Sequence, residues 1–205
     1  MASEPPKAGL NLPLGRIFAV EERRRITPAE RRRMLVAGIP ELAALDGVQQ
    51  PPEYHAEGDA LIHTLLALEA VPADADERVF WAVLLHDVGK APTTAFLDGR
   101  WRSPGHEAAS EKMVPGILSR LGRQELAADV AWLVRHHGFP LSWSKEPLQR
   151  LTAHQRRFCA HPLFPLLIAV ARADVSGSLG GSDKGQRLEA IETLWRLGET
   201  TFGKS

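Results

Sequence analysis

The sequence is poor in the residues that several classes of protein need. The 205-residue chain has one cysteine, Cys159, and one tyrosine. A single cysteine excludes an internal disulfide framework and a zinc site made of several cysteines, and it is consistent with a reducing compartment. No apolar run approaches the roughly 20 residues of a transmembrane helix, and the N-terminus lacks the basic start and apolar stretch of a secretion signal. We therefore expect a cytoplasmic protein without a membrane partner.

The chain also lacks net charge, because 25 basic residues balance 25 acidic ones. This balance argues against a general polyanion binder but allows a local basic patch. The arginine triplets at 23–25 and 31–33 are interleaved with glutamates, which favours a solvated charged face over an RNA contact. RNA is thus an allowed ligand but not a required one. The length favours one domain, at 26–205, after a partly irregular N-terminal tail at 1–25.

Helical signals dominate from Thr27 onward. Thr27, Pro28 and Glu30 form the pattern of a capping box with proline at the first helical position. No segment alternates convincingly with the period of two that strands require, so the predicted fold class is all-α. A loop is expected after the pair 86–87 through Trp101. Helices are predicted over about 28–37, 40–47, 57–70, 76–87, 104–120 (kinked or split at Pro115), 125–137, 147–157, 162–174 and 183–197.

Histidines and aspartates fall at the ends of these predicted helices. His86 and Asp87 end an apolar helix, Asp174 ends another, and His63 lies one turn into a third. Helix ends can converge on one side of a bundle, above its apolar core. An ionised aspartate placed there loses hydration and must be paired, protonated or bound to a metal. Nearby basic side chains are few, Lys90 and Arg172, so the pattern favours a divalent cation.

The mixed imidazole and carboxylate ligands suit Mn, Fe, Co, Ni or Zn, with Mg less natural. Taken singly, each residue has an ordinary alternative. His63 could be a helix histidine with satisfied hydrogen bonds, and Asp174 could cap the following helix. The spacing of all four residues together favours the metal site.

The series of motifs resembles a known family. His63, the pair His86-Asp87 and Asp174 resemble the HD-domain superfamily of metal-dependent phosphohydrolases. Residues 51–59, 86–90 and 105–107 resemble the C-terminal HD region of bacterial tRNA nucleotidyltransferases, the CCA-adding enzymes. The polymerase head of those enzymes has no counterpart here, so the resemblance does not imply CCA addition. It implies an HD-domain helical bundle with a metal site where helix ends converge.

The same resemblance, with the chemistry of the site, implies roles for particular residues. The metal ligands would be His63, His86, Asp87 and Asp174, and His106 and His137 could hold a second metal or protonate the leaving group. Asp87 would also accept a proton from the attacking water, whose pKa the metal lowers. In the loop that follows, Lys90 and Thr93 would bind the substrate phosphate, with Lys90 contributing to catalysis.

Three functions remain open at this point. The first is a phosphohydrolase (phosphatase, nucleotidase or 2′,3′-cyclic phosphodiesterase type) acting on a small nucleotide or related phosphate ester. The second is a catalytically silent HD module that binds RNA or a protein. The third is an HD oxygenase with two irons, which would need both His106 and His137 as ligands. The oligomeric state is not predicted.

Overall fold

The computed structural model describes residues 27–53, 55–144, 148–180 and 183–202. The predicted tail at 1–25 lies outside the described residues, so its boundary with the domain stays a prediction. A 3₁₀ turn covers Gln124–Leu126. The helices and strands are α1 (Pro28–Gly38), α2 (Pro40–Ala43), α3 (Ala60–Glu69), α4 (Glu77–Leu85), α5 (Lys90–Thr93), β1 (Ala95–Leu97), β2 (Arg100–Arg102), α6 (His106–Arg120), α7 (Ala127–His136), α8 (Phe139–Trp143), α9 (Ala153–Cys159), α10 (Phe164–Gly177) and α11 (Lys184–Phe202).

The first helix begins as its capping box predicts. The Thr27 hydroxyl accepts the backbone N–H of Glu30 at 3.3 Å, and the Glu30 carboxylate accepts the N–H of Thr27 at 3.0 Å. At α3, the cap is Asp59, whose carboxylate accepts two backbone N–H groups. Because Asp59 takes this position, α3 begins three residues later than predicted and Glu57 lies outside the helix.

The core lies between helices that pack side by side. Helix α10 packs along α3 and α4, and α6 packs along α7. All seven residues from Val79 to Leu85 are buried, as expected for a helix that is apolar all round. The largest fully buried side chains include Trp81 and Phe164. The predicted all-α class is confirmed for the bundle.

The structure corrects several predicted segments. The expected loop after Asp87 contains α5 and the hairpin β1–β2, which turns at Asp98 and Gly99 with positive φ angles of 51° and 79°. These strands have three residues each, too few to show a clear period of two. Helix α9 begins at Ala153 rather than near 147, and Pro115 lies within α6 without splitting it.

A further correction concerns α10, which continues one turn beyond Asp174 to Gly177. At Gly177 a Cβ atom would lie 2.7 Å from the backbone nitrogen of Ala67 on α3. The glycine therefore permits a close approach of the two helices rather than ending α10. Within the described ranges, no single helix is long and apolar enough to cross a membrane, and only the pair α9–α10, bent by 94°, reaches that length and hydropathy together.

Candidate metal site

The six predicted site residues meet at one side of the bundle. His63 lies one turn into α3, the pair His86-Asp87 directly follows α4, and Asp174 lies in the last turn of α10. The first residue of α6 is His106, and His137 directly follows α7. All of these residues are at most 4% exposed except His106, whose side chain is 17% exposed.

A first group of ligand atoms surrounds His63. Its Nε2 lies 3.0 Å from Oδ1 of Asp174 and 3.3 Å from Nε2 of His86. Nε2 of His86 in turn lies 3.1 Å from Oδ2 of Asp87. His63, His86 and Asp174 thus form a buried cluster that could hold a metal ion, with Asp87 at its edge.

A second group shares Asp87 with the first. Oδ1 of Asp87 lies 3.4 Å from Nε2 of His106 and 3.9 Å from Nε2 of His137. The two imidazoles approach each other to 3.4 Å through their Nε2 atoms. Asp87 therefore lies between the two groups and directs one carboxylate oxygen toward each.

In all four imidazoles Nδ1 points away from the cluster and Nε2 points into it. Their Nδ1 atoms face oxygen acceptors at 2.7 to 2.9 Å: the Glu57 carboxylate for His63, and the backbone carbonyls of Val83, Val134 and Ser103 for His86, His137 and His106. A carbonyl can only accept, so Nδ1 carries the proton in the last three rings. Nε2 of each of those rings is left directed into the cluster, which is the orientation that metal-binding histidines adopt.

Asp87 is buried and short of hydrogen bonds. Neither carboxylate oxygen accepts a hydrogen bond of suitable geometry from the described residues, although the residue is 1% exposed. A buried carboxylate in this state carries a large desolvation cost. Histidine nitrogens and carboxylate oxygens in this arrangement fit a divalent transition-metal ion.

Two lysines also compensate the charge of the carboxylates. Nζ of Lys90 lies 2.7 Å from Oδ2 of Asp87 and donates to Oε1 of Gln50 at 2.5 Å. The ammonium of Lys184 contacts Oδ2 of Asp174, on the side away from His63. Both lysines are 8% exposed, so these ion pairs are shielded from solvent.

The pKa values follow from these contacts. Burial lowers the pKa of His63, but hydrogen bonds to Asp174 and Glu57 outweigh it and raise the pKa to about 9. Burial would raise the pKa of both aspartates. However, His86 and Lys90 hold the pKa of Asp87 well below its usual range, and Lys184 and His63 do the same for Asp174. Without a metal, a proton on His63 therefore partly neutralises the same carboxylates that a cation would bind.

The pKa of His137 is lowered, whereas that of His63 is raised. Burial, together with the nearby His86 and His106, lowers its pKa to about 3. Its ring is therefore neutral at physiological pH, as a ligand must be.

The loop after Asp87 is held close to α6. The N–H of Gly89 donates to Oγ of Ser110 at 2.8 Å, and a Cβ atom at Gly89 would lie 2.3 Å from the carbonyl oxygen of His106. Only glycine fits this approach, which brings His106 against Asp87.

Two other residues considered in the sequence, Arg172 and Thr93, do not contact the cluster in the same way. Arg172 points away from the cluster and pairs with Glu192, so it does not compensate the site. Thr93 donates its hydroxyl to the carbonyl of Gly89 at 2.7 Å, and its role in substrate binding stays a prediction.

Sequence reasoning missed Lys184, Glu57 and His55 as members of the site. Nδ1 of His55 donates to Oε1 of Glu57 at 2.8 Å, and the His55 ring contacts that of His63 edge to face. Glu57 accepts the N–H of Leu179 as well. Glu57 belonged to a recognisable motif, but no local pattern marks Lys184, which follows a glycine-rich stretch of sequence.

A helical bundle with histidines and aspartates converging at its helix ends defines a class of metal-site domains, and comparison with known families agrees. The family model for the HD domain matches residues 54–176, which include all six histidines and aspartates of the cluster. The chain therefore belongs to the HD-domain family.

Curated relatives narrow the resemblance within that family. The multifunctional CCA protein of Halorhodospira halophila is 47% identical over 97 residues, which are 47% of this chain and 23% of the relative. That of Alkalilimnicola ehrlichii is 38% identical over 156 residues, 71% of this chain and 36% of the relative. The chain thus spans only about a quarter to a third of the length of these relatives, and it is homologous to their HD region.

Proposed function

We propose that this chain is a metal-dependent phosphohydrolase that cleaves a phosphate ester of a nucleotide or a related small molecule. The observation that carries the proposal is the convergence of the histidine Nε2 atoms. Two pairs of these atoms approach to 3.3 and 3.4 Å. Two imidazole nitrogens this close repel unless a proton, such as the one on His63, or a cation lies between them, and the Nδ1 contacts keep the Nε2 atoms directed inward.

His63, His86, Asp87 and Asp174 would hold the metal, with His106 and His137 as ligands of a second ion or as acids. A divalent cation bound there lowers the pKa of a water molecule and draws charge from a phosphoryl oxygen. Asp87 has an oxygen on each side of the cluster and is placed to accept the proton of the attacking water. Lys90 adjoins that carboxylate, where its ammonium can also hold a non-bridging phosphate oxygen.

His106 is the most exposed member of the cluster and is suited to the leaving-group side. Its Nδ1 is fixed by the carbonyl of Ser103, so a proton can reach the leaving oxygen only from Nε2. His137 is buried behind it and has a lowered pKa, so its proposed role is that of a neutral ligand.

One observation favours the second candidate, a silent HD module. The carboxylates of Glu57, Asp87 and Asp174 are balanced by Lys90, Lys184 and a protonated His63, so the cluster has a complete set of countercharges without a metal. A module that kept this fold for RNA or protein binding could use the same network. The two candidates differ in metal content and in turnover.

The test is elemental analysis of the purified protein with a hydrolysis screen of nucleotides and cyclic nucleotides, on wild type and Asp87→Ala. Asp74→Ala is a matched control, because Asp74 is an exposed carboxylate outside the cluster. A phosphohydrolase should contain metal and lose both metal and turnover only in Asp87→Ala. Absence of metal and turnover from the wild type would favour the silent module.

A further inference from the structure

A cleft of about 280 Å³ opens beside the metal site, between the loop at Gln50 and the hairpin β1–β2. Its inner wall includes Lys90 and His106, which both lie against Asp87. Its outer wall includes Arg100 and Arg102 on strand β2. The cleft thus begins where the reacting phosphate would lie and extends toward two further cations.

The hairpin presents these two arginines together. Residues 100 and 102 are two apart in a strand, so their side chains leave the same face. Among the described residues, Arg100 has no ion-pair partner. Arg102 has only a 3.4 Å contact with Asp98, which is 82% exposed and therefore competes weakly for the guanidinium.

Arg102 has a further unsatisfied group. Its Nε is buried and has no hydrogen-bond partner among the described residues. No carboxylate lies among the residues that line the cleft. Guanidinium groups in such surroundings are suited to bidentate binding of a phosphate.

We infer that this cleft binds a second phosphate group on the leaving alcohol of the substrate, so that the preferred substrate class is a small nucleoside bisphosphate. The inference rests on the proposed function for the position of the reacting phosphate. The cleft volume lies near the lower limit of about 300 Å³ for small-molecule sites, which favours one compact ligand over a length of RNA.

The test compares adenosine 3′,5′-bisphosphate with adenosine 3′-monophosphate, using wild type and the double variant Arg100→Gln/Arg102→Gln in saturating Mn²⁺. Glutamine retains much of the stem and removes the charge. The control is Arg157→Gln, an exposed arginine on α9. The double variant should lose roughly 10- to 100-fold in kcat/KM on the bisphosphate, mainly through KM, since hydrogen bonds to charged groups have that strength. Turnover of the monophosphate should change little.

Equal losses on both substrates, or none on the bisphosphate, would overturn the inference. If the wild type hydrolyses neither compound, the cleft is tested by calorimetric titration of both. The proposed function itself fails only if the protein also lacks metal and turns over nothing in the nucleotide screen. Tighter binding of the bisphosphate that the double variant loses would uphold the inference, and equal affinities would overturn it. Preference for a 3′-phosphorylated oligonucleotide over the bisphosphate would overturn the assignment to a small molecule.

Discussion

The ammonium of Lys184 contacts the carboxylate of Asp174, on the oxygen opposite to the one that faces His63. Lys184 begins α11, which follows the glycine-rich segment after α10. The contact therefore ties the C-terminal helix to the last turn of α10. It also leaves Oδ1 of Asp174 free to serve as the oxygen that faces the cluster.

Replacing Lys184 by methionine should destabilise the metal-free protein. The change leaves Asp174 buried without its ammonium, and breaking a buried pair in this way costs about 3–5 kcal/mol of unfolding free energy. Added Mn²⁺ should offset much of this loss, because a bound cation supplies the missing charge and stabilises the folded state. Denaturant unfolding with EDTA and with Mn²⁺ measures both effects.

The matched control for this variant is Arg172→Met. Arg172 pairs with Glu192 but its side chain is 59% exposed, so the loss should stay below about 1 kcal/mol. It should not depend on metal. Equal losses in the two variants would show that the Lys184 pair is no stronger than a surface contact.

Glu57 should control the metal affinity through His63. Its Oε1 lies 2.9 Å from Nδ1 of His63, and the His63 and Leu179 contacts outweigh burial to lower the pKa of Glu57 to about 2. Glu57→Gln removes the charge that fixes the ring, and loss of such a partner reduces metal affinity by about 10- to 100-fold. Competition with a metal indicator measures this affinity. Glu53→Gln, at an exposed glutamate in the same loop, should bind metal as the wild type does.

Cys159 should be inert in the native protein. The thiol is 5% exposed, and burial raises its pKa to about 12, so almost none is thiolate at neutral pH. Ellman's reagent should react slowly in buffer and with one thiol per chain after denaturation. Rapid stoichiometric reaction in buffer would mean that α9 opens readily or that the thiol is less buried than the structure shows.

Local rules predicted the parts of the fold that depend on neighbours in sequence. The capping box at Thr27 and the buried apolar helix through Val79–Leu85, predicted to run to Asp87, were correct because a capping bond and a helical face are set within a few residues. The same rules placed His63, His86 and Asp174 at or near helix ends, and the structure brings these residues together. Their roles as ligands stay predictions.

The features that the sequence did not predict depend on contacts between segments that are distant along the chain. Lys184 reaches Asp174 only because α11 folds back on α10, and Arg172, nearer in sequence, points elsewhere. Helix α10 was expected to end before Gly177 because glycine often ends helices. Here, the glycine serves a helix crossing, which only the tertiary structure reveals.

Gly177→Ala should disturb both stability and metal binding. The new Cβ would lie 2.7 Å from the backbone nitrogen of Ala67, and backbone cannot move aside as a flexible side chain can. Overpacking of this kind costs about 1–3 kcal/mol. Because Asp174 and His63 lie one turn before Gly177 and Ala67, separation of α10 from α3 should also lengthen the 3.0 Å contact between them. We therefore expect weaker metal binding in addition to a lower unfolding free energy.

Gly116→Ala on α6 is the control, since a Cβ there meets nothing within 4 Å, and it should stabilise the protein by about 0.4–1 kcal/mol. If Gly177→Ala behaved like Gly116→Ala in denaturant unfolding and metal titration, the close crossing of α10 and α3 would not position the site.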